Sequence, residues 1–189
     1  MIHLMLDSEF SSLYAPEARL MQVALVPFNS RGIIPGLTKF NEFMVARATD
    51  WSVDDESTIR WWESQPNFKA MLDCQEKFGV TPMMMVSRLN EYLRYIRCEE
   101  DDLATLCGDE PRVAIWSNHH IDISILETYY RQLNLPLPWK HYEVRDMATA
   151  YQPYRNELKR RDTQHWANTD AEDQVDLLVQ CCNMGLVLA

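Results

Sequence analysis

The stretch HLMLDSEF, His3 to Phe10, decides how the rest of the chain is read. Residues 2–6, IHLML, form an apolar run of the length expected for a buried strand. Two acids, Asp7 and Glu9, follow it one residue apart. Along a strand, side chains i and i+2 share a face, so both carboxylates can reach one cation. Taken alone, D-x-E is a weak signal, since a strand that ends in polar residues reads the same way. The motif gains meaning only if acids from later in the chain join it.

Composition narrows the choice. The 189 residues suit one domain, 1–189, and a hydrophobic fraction of 47% with 24% charged residues excludes a disordered chain. No apolar segment approaches the roughly 20 residues that span a bilayer, so no membrane partner is expected. MIHLMLDSEF lacks a basic leader, which predicts a cytoplasmic protein. The five cysteines form no C-x-x-C pair, which favours reduced thiols over a structural zinc site. Cys181 and Cys182 lie in an apolar C-terminal run and read as packing residues. The net charge of −10 opposes simple electrostatic binding to nucleic acid, but not phosphate binding through metal ions and a local basic patch.

The pattern beyond the first strand is mixed. LMQVALVPF (20–28) reads as a second strand, NSRGIIPG as turn, and a third strand begins near Gly36 or Leu37. ESTIRWWESQ, capped by Asp54 or Asp55 and stopped by Pro66, reads as a helix, as does NFKAMLDCQEKFG up to Gly79. Thr81 and Pro82 open a third helix, TPMMMVSRLNEYLRYIRC, followed by an acidic link, EEDDLATLCGDEP. RVAIWS (Arg112 to Ser117) is a strand, IDISILETYYRQLN a helix, and HYEVRDMAT an ambiguous extended stretch. YRNELKRR reads as a basic helix and DAEDQVDLLVQCCNMG as the closing helix. This order predicts one α/β domain with a mixed sheet.

Further acids stand where they could join the first pair. Asp122 follows a strand at the first turn of a helix, where an acid is also favoured by the helix dipole. Asp170 stands near the start of the last helix, and His165 precedes it by five positions, in the loop. Imidazole titrates near neutrality, which suits a general base once acids surround it. Arg155, Lys159, Arg160 and Arg161 form the densest basic cluster, and a polyanion would lie near Lys159 and Arg160 unless they are an ordinary solvated face. Trp61 and Trp62 cannot share one direction on a helix, so one is expected in the core and the other toward a neighbour or cleft. Met83 to Met85 read as core filling. Asp146 reads as structural, paired with Arg145 or a backbone donor, and His119 and His120 as exposed.

The order Asp7-Ser8-Glu9, then Asp122 before I-x-x-L, then His165-x4-Asp170 resembles the DEDDh family of 3′–5′ exonucleases. The stretches STIRWWESQ, KFNEF, IDISIL and RDMAT are similar to phage-encoded exonuclease A and the related small bacterial exoribonucleases. The likeness runs from the first strand to the last helix. It implies an α/β, ribonuclease H-like mixed sheet flanked by helices. It implies that Asp7, Glu9, Asp122 and Asp170 bind two divalent cations, Mg²⁺ or Mn²⁺, with His165 as general base and Glu9 part of the catalytic set. Such hard ions prefer oxygen ligands, and without them clustered carboxylates repel and at least one pKa should rise. The implied partner is RNA or DNA with a free 3′ end, cut to nucleoside 5′-monophosphates. The resemblance also allows a homodimer. Phe10 stands where the family often has a threonine that touches the terminal nucleotide, and an aromatic there could stack on a base or sugar. Two alternatives remain open: a ribonuclease H-like enzyme that cuts internally, and a non-catalytic interaction module on the same fold.

Overall fold

A computed structural model describes residues 1–13, 16–46, 49–104, 113–159, 162 and 164–188, with the backbone alone for 100–104. Six strands, β1 (Ile2–Phe10), β2 (Leu20–Asn29), β3 (Gly32–Ile33), β4 (Phe40–Phe43), β5 (Val113–Ser117) and β6 (Val144–Asp146), form one mixed sheet. β1 is central. It pairs antiparallel with β2 and parallel with β5, β6 continues beyond β5, and β3 and β4 share the outer edge of β2. The helices are α1 (Glu56–Glu63), α2 (Phe68–Phe78), α3 (Pro82–Ala104), α4 (His120–Gln132), α5 (Met147–Tyr151) and α6 (Ala167–Asn183).

The alternation in β1 sets the layers. Ile2, Leu4 and Leu6 point into a core closed by Met85, Leu89 and Leu93 of α3 and by Ile125, Leu126 and Tyr129 of α4. Met5 faces the other way, with Val26, Ala114 and Trp116, against Met147 of α5 and Ala171, Val175 and Leu178 of α6. Asp7 and Glu9 continue the Met5 face, so the register of one strand aims both carboxylates at α6. A third, smaller core of Met21, Trp62 and Met71, with Phe43, Phe68 and Trp166 packed on it, ties α1 and α2 to the sheet and to the start of α6.

Several local readings change. β1 runs four residues past Leu6 because β2 still pairs with it there, up to a register shift between Glu9 and Phe10. The third strand begins at Phe40 rather than near Gly36, and the turn stretch contains the two-residue β3. α3 continues through 99–104 because Glu, Leu and Ala are good helix formers even where acids cluster; residues 105–112 lie outside those described. HYEVRDMAT divides into a short 3₁₀ turn (His141–Glu143), β6 and α5, with Asp146 capping α5 by accepting from the Thr149 backbone N–H at 2.8 Å. The expected basic helix over YRNELKRR does not form among the described residues: Tyr154 ends a 3₁₀ turn, and the chain through Lys159 is turn and coil. Eight residues with almost no apolar face are too few to hold a helix, and the Gln180 side chain instead takes up the Lys159 backbone N–H at 3.0 Å. Arg160 and Arg161 lie outside the described residues. Met85 is buried as expected, whereas Met83 and Met84 are exposed. No helix among the described residues is long and apolar enough to cross a membrane.

Candidate active site

β5 ends at Ser117, opposite Leu6, so β1 projects beyond its parallel neighbour. The Ser8 N–H therefore has no strand to pair with on that side. Asp122, in the first turn of α4, replaces the missing strand: its Oδ1 accepts from Ser8 N at 3.1 Å and from Ser8 Oγ at 2.6 Å. The α4 N-cap residue, His119, makes no side-chain cap, and the Asp122 carboxylate, besides its bonds to β1, accepts from its own backbone N–H in the first turn of α4. His119 and His120 are exposed.

From the opposite layer, α6 contributes Asp170 and, one turn later, Gln174. Gln174 Nε2 donates to Asp7 Oδ1 at 2.6 Å. Both Asp170 oxygens are bound to the preceding loop, Oδ1 by the Gln164 N–H and Oδ2 by the His165 N–H, each at 2.9 Å. Gln22 of β2 fixes where α6 begins: its Oε1 accepts from the Ala167 N–H at 3.0 Å and its Nε2 donates to Asn168 and Asn41. One ligand atom each from Glu9, His165 and Asp170 lies within 4.8 Å of the others.

The four acids thus meet at one end of β1, and each feels the others or its burial. Asp7 is raised well above the usual carboxylate range, first by burial, then by the charges of Asp122 and Glu9, against the opposing Gln174 hydrogen bond. Glu9 is pushed up to about 9 by burial and by Asp170 and Asp122. Burial lifts Asp122 to about 6 although the Ser8 bonds pull it down, and burial also raises Asp170 against the bonds from Gln164 and His165. Among the described residues no lysine or arginine forms an ion pair with any of the four. Buried acids ordinarily have a charged or hydrogen-bonding partner. An oxygen-rich cluster short of positive charge fits a hard divalent cation. Gln174 Oε1, buried beside Asp7 without a hydrogen-bond partner among the described residues, adds an acceptor that hydration around such an ion would satisfy.

α1 forms a wall beside the acids. Trp62 is 1% exposed, and its Nε1 donates to the Phe10 carbonyl at 3.0 Å. Trp61, 42% exposed, stands edge-on to the His165 ring at 4.7 Å between centroids. Glu9, Phe10, Leu13, Ser57, Thr58, Trp61 and Trp62 line an open cavity of about 370 Å³. The tryptophan pair therefore divides as helix geometry requires, one into the core and one into the cleft. Lys159 is exposed beside Gln180, ten residues and about 15 Å along α6 from Asp170. Gln22, Asn168 and Gln174 support the site, yet the sequence reading missed them. The only signal in the sequence was the placement of Gln174 four residues after Asp170, on the same helix face.

Solved structures share this architecture. The nuclease domain of 3′hExo, a DEDDh family member bound to rAMP, is 13% identical, with 100% of this chain and 94% of that one covered at a TM-score of 0.60. S. pombe Pop2p, in a Mg²⁺- and Mn²⁺-bound form, is 14% identical over 94% of this chain and 81% of that one, at 0.57. E. coli exonuclease I in complex with a dT13 oligonucleotide is 12% identical at 0.57; the match covers 98% of this chain but 41% of that one. The fold is the ribonuclease H-like fold of DEDDh-type exonucleases. Among curated protein sequences there is no significant match. The profile of the Rv2179c-like 3′–5′ exoribonuclease domain family matches residues 2–182, and the chain belongs to that family. Its class is that of the 3′–5′ exonucleases, which are phosphodiester hydrolases.

Proposed function

We propose that residues 1–189 form a single exonuclease domain that uses two divalent cations, Mg²⁺ or Mn²⁺. It would remove nucleotides from single-stranded 3′ ends or overhangs of RNA or DNA and release nucleoside 5′-monophosphates. The observation that carries this reading is the convergence of Asp7, Glu9, Asp122 and Asp170 from β1, α4 and α6, with burial but, among the described residues, no lysine or arginine paired with them. The Mg²⁺ and Mn²⁺ in Pop2p and the oligonucleotide in exonuclease I support it by likeness of fold.

In this reading the four carboxylates hold the ions. Gln174 keeps Asp7 aimed at them, and Ser8 does the same for Asp122. When bound, two such ions offset charge on the attacking and leaving oxygens of a phosphodiester. They also let a chain of net charge −10 accept a polyanion. His165 takes the proton from the attacking water. Glu9 and Asp170, close to its ring, stabilise the imidazolium that results. Phe10 and Trp61 offer the terminal nucleotide an apolar wall. Lys159 meets the backbone further from the cut, so reversing it together with its sequence neighbour Arg160 to glutamate raises KM and flattens its salt dependence.

Incubating 5′-labelled RNA and DNA oligomers with Mg²⁺ or Mn²⁺ tests the reading. A ladder shortened one nucleotide at a time, lost on chelation and in Asp7→Ala, is expected. Cleavage of a circular substrate, or full activity in purified Asp7→Ala, would refute it.

A further inference from the structure

Asn67 precedes α2 at the N-cap position, where asparagine ordinarily bonds the first turn of its own helix and contributes about 1 kcal/mol. Here the side chain makes no such cap. Its Nδ2 donates instead to the Gln164 carbonyl at 3.1 Å and the His165 carbonyl at 2.8 Å. The N–H groups of the same two residues are held by Asp170. All four backbone polar groups of Gln164 and His165 are thus fixed, the donors by α6 and the acceptors by α2. The grip is needed because His165 sits at φ +53°, a left-handed conformation that costs a non-glycine residue about 1–2 kcal/mol.

We propose that Asn67 is a positioning residue for this hydrolysis: its amide holds the His165 peptide in the left-handed turn, so that the ring stands between Trp61 and the acids. This rests on the reading of His165 as general base. The Asp170 half of the grip comes from a carboxylate that also serves the ion site. The Asn67 half comes from outside that site, and it arrives on the same α1–α2 unit that carries Trp61. Backbone and ring of His165 therefore both meet the α1–α2 unit, which is seated on the sheet through Trp62 and Met71.

Asn67→Ser tests this, because serine caps a helix well but is too short to reach across to the loop. Asn67→Asp is a second variant, similar in shape and a good cap but without the donor. Both should lower kcat on a single-stranded RNA oligomer about tenfold, with KM within twofold and thermal midpoint and Mn²⁺-induced stabilisation retained. In a His165→Ala background, Asn67→Ser should cost nothing further, since the group it positions is gone. Wild-type kcat in Asn67→Ser, or a full additional loss in the double variant, overturns the proposal. Full activity in His165→Ala alone would instead overturn the reading on which the proposal rests.

Discussion

Both ends of β1 enclose titratable groups, and burial shifts them in opposite directions. At the first end, His3 is enclosed, and its pKa falls from 6.5 to about 4, chiefly because burial disfavours the imidazolium. The protein supplies the partner that a neutral ring needs: the Trp116 indole N–H donates to His3 Nδ1 at 3.0 Å. At the other end, Asp7 and Glu9 are raised, and no lysine or arginine among the described residues neutralises them. Both ends hold perturbed groups, and perturbation alone would mark both as functional. What separates them is completeness. His3 meets a partner suited to a neutral ring, whereas the acids have hydrogen-bond donors but, among the described residues, no lysine or arginine to offset their charge.

Substitutions should expose that difference, beginning with the largest effect. Asp7→Ala should take exonuclease turnover below detection while circular dichroism stays near wild type and apo stability holds or rises, since removing this acid relieves its repulsion with Asp122 and Glu9. His165→Ala should follow, with kcat reduced by about 10²–10⁴-fold, the range for loss of a general base. Gln174→Leu removes only the partner of Asp7 and should weaken Mn²⁺ affinity by about 10–100-fold, the usual cost of losing a hydrogen bond to a metal ligand. Calorimetric titration would read that change, and unaltered affinity would detach Gln174 from the site.

His3→Gln should leave activity unchanged and alter only the pH dependence of stability. For His3 the folded pKa is depressed, so the unfolded chain binds more protons between about 4 and 6.5. Its contribution is present above pH 6.5 and is lost, by up to about 3 kcal/mol, as pH falls through 4. The acids slope the other way. Their folded pKa values are raised, so in the absence of metal their contribution is fully present below about 4, the unfolded carboxylate range, and is lost as pH rises through about 6 for Asp122 and about 9 for Glu9. Urea unfolding from pH 4 to 9 in chelator should show the two slopes opposing each other in wild type, with the acid limb isolated in His3→Gln. Identical profiles for the two proteins would contradict the contrast between the ends of the strand.

The sequence disclosed more of the acids than of their supports. The period of two in β1 put Asp7 and Glu9 on one face, and the positions of Asp122 and Asp170 at helix starts were visible as well. Asn67 and Gln22 were not, and Gln174 showed only by its place one turn after Asp170, because an amide has no chemical signature of its own and each acts on a residue at least 97 positions away. Local rules also misjudged two segments. Acidic residues after Cys98 looked like a linker although their helix propensity continues α3, and YRNELKRR looked helical although it has no face to bury. In the second case, counting charge without asking what the segment packs against gave the wrong element.

The central claim is that the acid end of β1 is completed by divalent cations. Isothermal titration of Mn²⁺ into the wild-type protein and Asp7→Ala, near pH 7.5 in two buffers of different ionisation enthalpy, measures it directly. Two ions per chain, bound with release of protons from the raised carboxyls and lost in the variant, is the predicted result. Absence of binding in wild type, or binding without proton release that survives Asp7→Ala, would contradict it.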